Sequence, residues 1–224
     1  MRSTVNKVGS THATEDISLA ERAFRTIRDR LVLLDIPPGA AINDVLLANE
    51  LHLGRTPVRE ALKRLESERL VVAYPRRGTF ATDVNITDLA HISEVRLQLE
   101  PVAAAAAATR LRADDRVALT DLLAELDSHA PQPPAEAMLR LDLRIHRAMY
   151  AATHNPYLED TLVRYDNLAT RIWCLFLDRL SGVAGHINEH GPLLRAILAG
   201  DESGARDLAA IHVKGFERAV HEAI

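Results

Sequence analysis

The sequence is short of several things, and each shortage excludes a class of protein. It holds one cysteine, Cys174, in 224 residues. An intrachain disulfide framework is therefore excluded, and such thiol usage fits a reducing cytoplasm. No apolar run reaches 18 residues, so no helical membrane span is expected. The alanine block at 103–108 is soon interrupted by charge. The N-terminus lacks an apolar core segment, so no secretory leader is expected. Aromatic residues are only 4% of the chain. With an acidic second half, that scarcity points to a small polar ligand and away from a long acyl chain. An excess of positive charge is missing too: the net is −4, which alone argues against a nucleic-acid binder.

The average hides an asymmetry. Residues 1–80 carry 13 Lys+Arg against 10 Asp+Glu, and residues 81–224 carry 14 against 21. A mildly basic first third joined to an acidic remainder implies two domains with different partners.

Residues 1–17 are polar and unpatterned and are expected to be a disordered arm. Ser18 is placed to cap a helix, with Glu21 at the capping-box position. Leu19, Ala23, Ile27, Leu31 and Leu34 then follow a 3.6-residue rhythm. Pro37 and Gly39 in "DIPPGA" stop that helix. A second short helix is expected over 44–51 and a third over 56–68. "LVVAYPRRGTFATDV" then reads as a hairpin turning at "PRRG". Three helices and a hairpin make a winged helix-turn-helix, assigned to residues 18–83.

On the third helix Val58, Leu62 and Leu65 share an inward face. Arg55, Arg59 and Lys63 share an outward one, spaced by four, where they can reach phosphates and base edges. Arg76 and Arg77 at the hairpin tip can reach an adjacent groove or the backbone. The bland alternative is a solvated basic face.

Residues 84–224 read as an all-α antiparallel bundle. Six helices are expected, at about 87–111, 114–129, 134–152, 156–181, 184–199 and 202–223. Asp88 and Glu100 are expected on its solvated outer face. The fold class is thus mainly α.

Seven of the ten histidines lie beyond residue 100. Asp142 and His146 in "RLDLRIHRAM" are four apart and share a helix face. His190 lies near the start of the fifth bundle helix, and His212 lies midway along the sixth. His212 sits among Leu208, Ala209 and Phe216, where an imidazole costs free energy unless its nitrogens are satisfied. One reading is a metal held by a carboxylate and three imidazoles inside the bundle. The other is a set of separate hydrogen-bonded histidines, because D-x-x-x-H is frequent by chance.

"IPPGAAINDVLLANELHLGRTPVREALKRLESERLV" followed by "RRGTF" closely resembles the DNA-binding domain of GntR-family transcriptional regulators. "EVRLQLEPVAAAAAA", "DLRIHRAMYAATHNPYL", "EHGPLLRAILAGD" and "AAIHV" resemble the FCD effector domain of the FadR-like subfamily. Together the resemblance covers about 18–222. It implies DNA contacts from Arg55, Thr56, Arg59 and Gly78, with Arg77 beside that glycine. It implies one divalent metal per chain on Asp142, His146, His190 and His212, with zinc or nickel suited to the ligands. It implies a small organic or sugar acid as effector, with no chemistry performed on it. Arg96 matches the family's ligand-pocket arginine, although a salt bridge to Glu100 is its alternative role. Arg171 is a second candidate for that pocket. The chain departs from many relatives in having Gly54 where they have serine, and Val45 where some have arginine.

The resemblance therefore implies a dimeric, ligand-responsive regulator, a repressor by the commoner family outcome, binding a palindromic operator in double-stranded DNA. No enzyme is expected. The rival class is a metal-dependent hydrolase or oxygenase using the Asp/His set. Against it, Glu189 precedes His190 and should point elsewhere, so no general base stands beside the ligands. A third option is an architectural DNA-binding protein with a purely structural metal.

Overall fold

The computed structural model describes residues 17–128, 134–177 and 183–222. The arm expected over 1–17 lies outside them apart from Ile17. The ends of three expected bundle helices, at 129, 178–181 and 223, lie outside them as well.

The first unit runs α1(Leu19–Val32), β1(Ala41–Ile42), α2(Asp44–Glu50), α3(Arg55–Ser67), β2(Val71–Tyr74) and β3(Gly78–Ala81). Ser18 caps α1 by accepting the Glu21 amide at 3.1 Å. The buried face of α1 is Ala23, Phe24, Ile27, Leu31 and Val32. Leu19 is 54% exposed, and Leu34 turns out of the helix at φ 61°, so both ends of the expected stripe fray. Asn43 caps α2 through the amides of Val45 and Leu46. Val58, Leu62 and Leu65 of α3 are buried as their spacing requires.

The hairpin forms in the register Val71↔Ala81 to Tyr74↔Gly78. It gains an unexpected partner, because β1 pairs antiparallel with β3 and makes a three-stranded sheet. Two residues are too few to show a period of two, so β1 leaves no pattern to read.

The second unit is α4(Asp88–Arg110), α5(Ala113–Asp127), α6(Ala135–Ala151), α7(Pro156–Leu175), α8(Val183–Asn188), α9(His190–Ala199) and α10(Glu202–Glu222). The expected helix at 184–199 is two helices, divided at Glu189. α4 packs along α10. Ala103, Ala104 and Ala107 of α4 are fully buried in the bundle core. Glu100, expected on the outer face, is also fully buried. Its Oε1 accepts from Arg96 and Tyr150, which offsets part of the cost of burying the charge, while Oε2 takes no hydrogen bond among the described residues.

The two units share packing. Leu143 of α6 belongs to the core of the first unit, while Leu33, Val84 and Ile86 pack against the core of the second. Arg171 of α7 donates to the Thr82 hydroxyl at 2.6 Å and to the Thr82 carbonyl at 2.7 Å, holding the segment between the units. Among the described residues no helix is long and apolar enough to cross a membrane.

Candidate metal centre and nucleic-acid interface

Asp142, His146, His190 and His212 come together, each buried, with one ligand atom from each lying within 4.8 Å of the others. α6 supplies the first two on successive turns, α9 supplies His190 from its first residue, and α10 supplies His212. The Nε2 atoms of His146 and His190 face each other at 3.1 Å. Asp142 Oδ1 lies 3.8 Å from His146 Nε2.

The far nitrogen of each imidazole is engaged. His190 Nδ1 is 3.0 Å from the Ile187 carbonyl, which can only accept. His146 Nδ1 is 2.9 Å from the Tyr150 hydroxyl. That hydroxyl donates to Glu100 at 3.0 Å, so the histidine must donate to it. His212 Nδ1 is 3.2 Å from Glu189 Oε2. All three histidines are therefore Nδ1–H tautomers, which leaves their Nε2 lone pairs free.

Two lone pairs facing each other at 3.1 Å repel unless a cation lies between them. Asp142 Oδ1 is buried and takes no hydrogen bond among the described residues. The donor set thus fits a divalent cation, and imidazole with carboxylate suits zinc or nickel over magnesium.

The surrounding charge points the same way. Arg96 bonds Glu100 at 2.5 Å and lies 3.5 Å from Asp166. With Asp142, the buried cluster holds three carboxylates and one guanidinium. Burial, reinforced by the charge of Asp166, pushes Asp142 well above the usual carboxylate range. Burial also pushes His146, His190 and His212 well below the usual imidazole range, favouring the neutral ring. A cation reverses the penalty on the carboxylate and uses the neutral imidazoles. Burial alone would lower Arg96, but Glu100, Tyr150 and Asp166 together hold it above its ordinary value.

Arg96 therefore makes the Glu100 salt bridge foreseen as its alternative role, and it does so beside the metal candidates. Arg171 does not join them. It lies against Thr82 and lines a cavity of about 440 Å³ between the two units. Glu189 overturns its expected direction. Although adjacent to His190, it reaches both His212 and, at 3.0 Å, His186 Nδ1. The break between α8 and α9 frees Glu189 from a continuous helical wheel. Tyr150, Asp166, His186 and Glu189 were missed as members of the cluster. "HINEH" was a readable signal for the last two, whereas Tyr150 and Asp166 carried none.

At the other end, Arg55, Arg59 and Lys63 line an exposed face of α3, and Thr56 is exposed at its start. Asp44 of α2 accepts from Arg59 at 2.5 Å and from Arg55 at 3.4 Å. Gly54 caps α3 without a side-chain hydrogen bond, as its difference from serine implies. Arg76 and Arg77 form the hairpin tip, with Arg77 lying 5.5 Å over the Tyr74 ring. Gly78 has φ +99° and open space where a Cβ would stand.

A winged helix-turn-helix joined to a helical bundle with a polar buried centre is the architecture of a DNA-binding regulator. The model for "Bacterial regulatory proteins, gntR family" matches residues 19–81, and the FCD domain model matches 91–215. The chain belongs to the gntR family of bacterial transcriptional regulators and carries an FCD domain.

The Nta operon transcriptional regulator of Aminobacter aminovorans is 34% identical over 125 residues, which are 56% of this chain and 59% of that protein. The HTH-type regulator McbR of Escherichia coli K12 is 26% identical, covering 89% of this chain and 91% of the relative. The galactonate operon transcriptional repressor of the same organism is 24% identical, covering 92% and 98%. The solved structure of E. coli McbR/YncC superposes with a TM-score of 0.79 at 24% identity, over 92% of this chain and 98% of that one. The family and these relatives are transcriptional regulators, not enzymes, and the hydrolase or oxygenase alternative gains no support.

Proposed function

We propose that the protein is a metal-dependent, ligand-responsive repressor. It binds a near-palindromic operator as a homodimer, with α3 of each protomer in a major groove. Asp142, His146, His190 and His212 hold one divalent ion, zinc or nickel. When bound, the ion supplies a Lewis-acidic anchor for the carboxylate of a small organic or sugar acid. Arg96 stands beside it, shaped to pair with a carboxylate. A relative named for the galactonate operon supports a sugar-acid class. The effector acts by preferring one dimer geometry over another, since a ligand shifts a population only through differential affinity. The arm at 1–17, the boundary near 83 and the cytoplasmic location remain part of this reading.

One observation carries it: two imidazole lone pairs face each other at 3.1 Å beside a buried, undonated carboxylate oxygen. The test combines elemental analysis with thermal-shift titration against organic and sugar acids. Metal at one equivalent, with saturable stabilisation and no turnover, supports a sensor. Metal still present at one per chain in a His146→Ala, His212→Ala double variant sinks the ligand assignment. Full metal loading with no response to any acid leaves a structural metal instead.

A further inference from the structure

His190 and His146 take their orientation from groups built into the core, a backbone carbonyl and a buried tyrosine. His212 differs. Its Nδ1 partner is the Glu189 carboxylate, which is 38% exposed and stands at the break between α8 and α9.

Three observations mark that carboxylate as placed for the histidines. Glu189 occupies the cap position of α9, yet its side chain caps no amide of that helix. The same oxygen, Oε2, also lies 3.0 Å from His186 Nδ1. His186 stacks on His212, with ring centroids 4.1 Å apart and planes 15° apart. Finally, α10 has Gly215 where the carboxylate approaches. A Cβ there would stand 3.3 Å and 3.4 Å from the two Glu189 oxygens and 3.5 Å from His186 Nδ1. Three residues after His212, the missing side chain leaves room for the group that orients it.

We infer that Glu189 is the positioning carboxylate of the metal centre: it holds His212 as the Nδ1–H tautomer, so that Nε2 presents its lone pair beside those of His146 and His190. This rests on the metal reading above. Nearly parallel rings 4.1 Å apart cannot both direct an in-plane lone pair at one ion, so His186, Glu189 and His212 do not form a second coordination shell of their own. Glu189 acts through His212. A histidine ligand whose far nitrogen loses its acceptor gives up both its orientation and its tautomer, and metal affinity typically falls by about 10- to 100-fold.

The experiment compares the full-length chain with Glu189→Ala, Glu189→Gln and Gly215→Ala. In metal-free protein, imidazole nitrogen NMR reads the tautomer of His212. In a second arm, competition with a chromophoric chelator reads zinc affinity. Glu189→Ala is expected to shift His212 away from the Nδ1–H form and to weaken zinc by about 10- to 100-fold. Glu189→Gln, whose amide oxygen still accepts Nδ1–H, is expected to recover most of both. Gly215→Ala is expected to fall between, because the added methyl crowds the carboxylate.

Zinc affinity within twofold of wild type in Glu189→Ala, with the tautomer unchanged, overturns this role while the metal site stands. A wild-type chain that takes neither zinc nor nickel overturns the metal reading itself, and this role with it. A Glu189→Gln variant as impaired as Glu189→Ala also counts against it, since an acceptor alone should suffice.

Discussion

Asp44 gathers the two arginines that α3 turns outward. Arg55 and Arg59 are more than half exposed, so these ion pairs add little to folding. Their effect is to aim two guanidinium groups along one edge of the helix. The Arg59 hydrogen bond is also the main reason the Asp44 carboxyl sits below its usual range. Arg59→Ala should therefore abolish operator-specific binding while the thermal midpoint stays put. Fluorescence anisotropy on operator and scrambled duplexes checks this, and unchanged discrimination between them would refute it. Lys63→Ala should instead weaken both duplexes alike and flatten the salt dependence by about one unit, as loss of one phosphate contact does. Gly54→Ser tests the departure from serine-bearing relatives. A Cβ at Gly54 meets Pro57 Cδ at 3.5 Å and Cγ at 3.8 Å, ordinary contact, and a hydroxyl there can cap α3. Serine should stabilise by a few tenths of a kcal/mol, read as a small rise in urea midpoint.

Elements were legible where periodicity had length to act. The amphipathic α1 and α3, the "PRRG" hairpin and the long bundle helices follow from spacing and from Ser18, Pro37 and Gly39. The metal residues were legible only in part. Asp142 and His146 shared a face by spacing, but that His190 and His212 meet them is tertiary geometry, carried at first by family resemblance. Glu100 shows the opposite error, since a charge suggested an outer face and Arg96 made an inner one possible. Glu189 was misjudged for a local reason, because a continuous helix was assumed across the junction of α8 and α9. The α4–α10 contact is where element packing meets the centre, since α4 carries Arg96 and Glu100 and α10 carries His212. Ala104→Leu, at a fully buried position on α4 within the bundle core, should overpack that core and cost about 1–3 kcal/mol. Chemical denaturation reads the cost, and zinc affinity should fall in parallel. Undiminished stability would show that the helices have slack.

At the scale of the molecule, the question is how an event in the bundle reaches α3. Two consecutive residues of α7 face different tasks. Asp166 lies 3.5 Å from Arg96 beside the metal candidates. Asn167 accepts from Arg147 at 3.3 Å, and the same Arg147 nitrogen donates to Asp29 of α1 at 2.8 Å. α1 in turn packs on α3. Leu143, one turn before Arg147 on α6, is inserted into the core of the DNA-binding unit. On the function proposed above, these contacts are the route by which metal or ligand binding would reach α3. Arg147 is one polar link in that route, and Leu143 is one apolar link. Arg147→Ala removes that polar link without touching a metal ligand or the DNA face. Operator affinity should be measured for zinc-loaded and chelator-stripped protein, wild type and variant. In wild type the two states should differ, within the roughly 5- to 150-fold range of coupled sites. In Arg147→Ala the ratio should contract toward one, while zinc affinity alone stays near wild type. A variant that keeps the full ratio would place the coupling in the apolar contact of Leu143. In that case Leu143→Ala should contract the ratio, whereas Arg147→Ala should not.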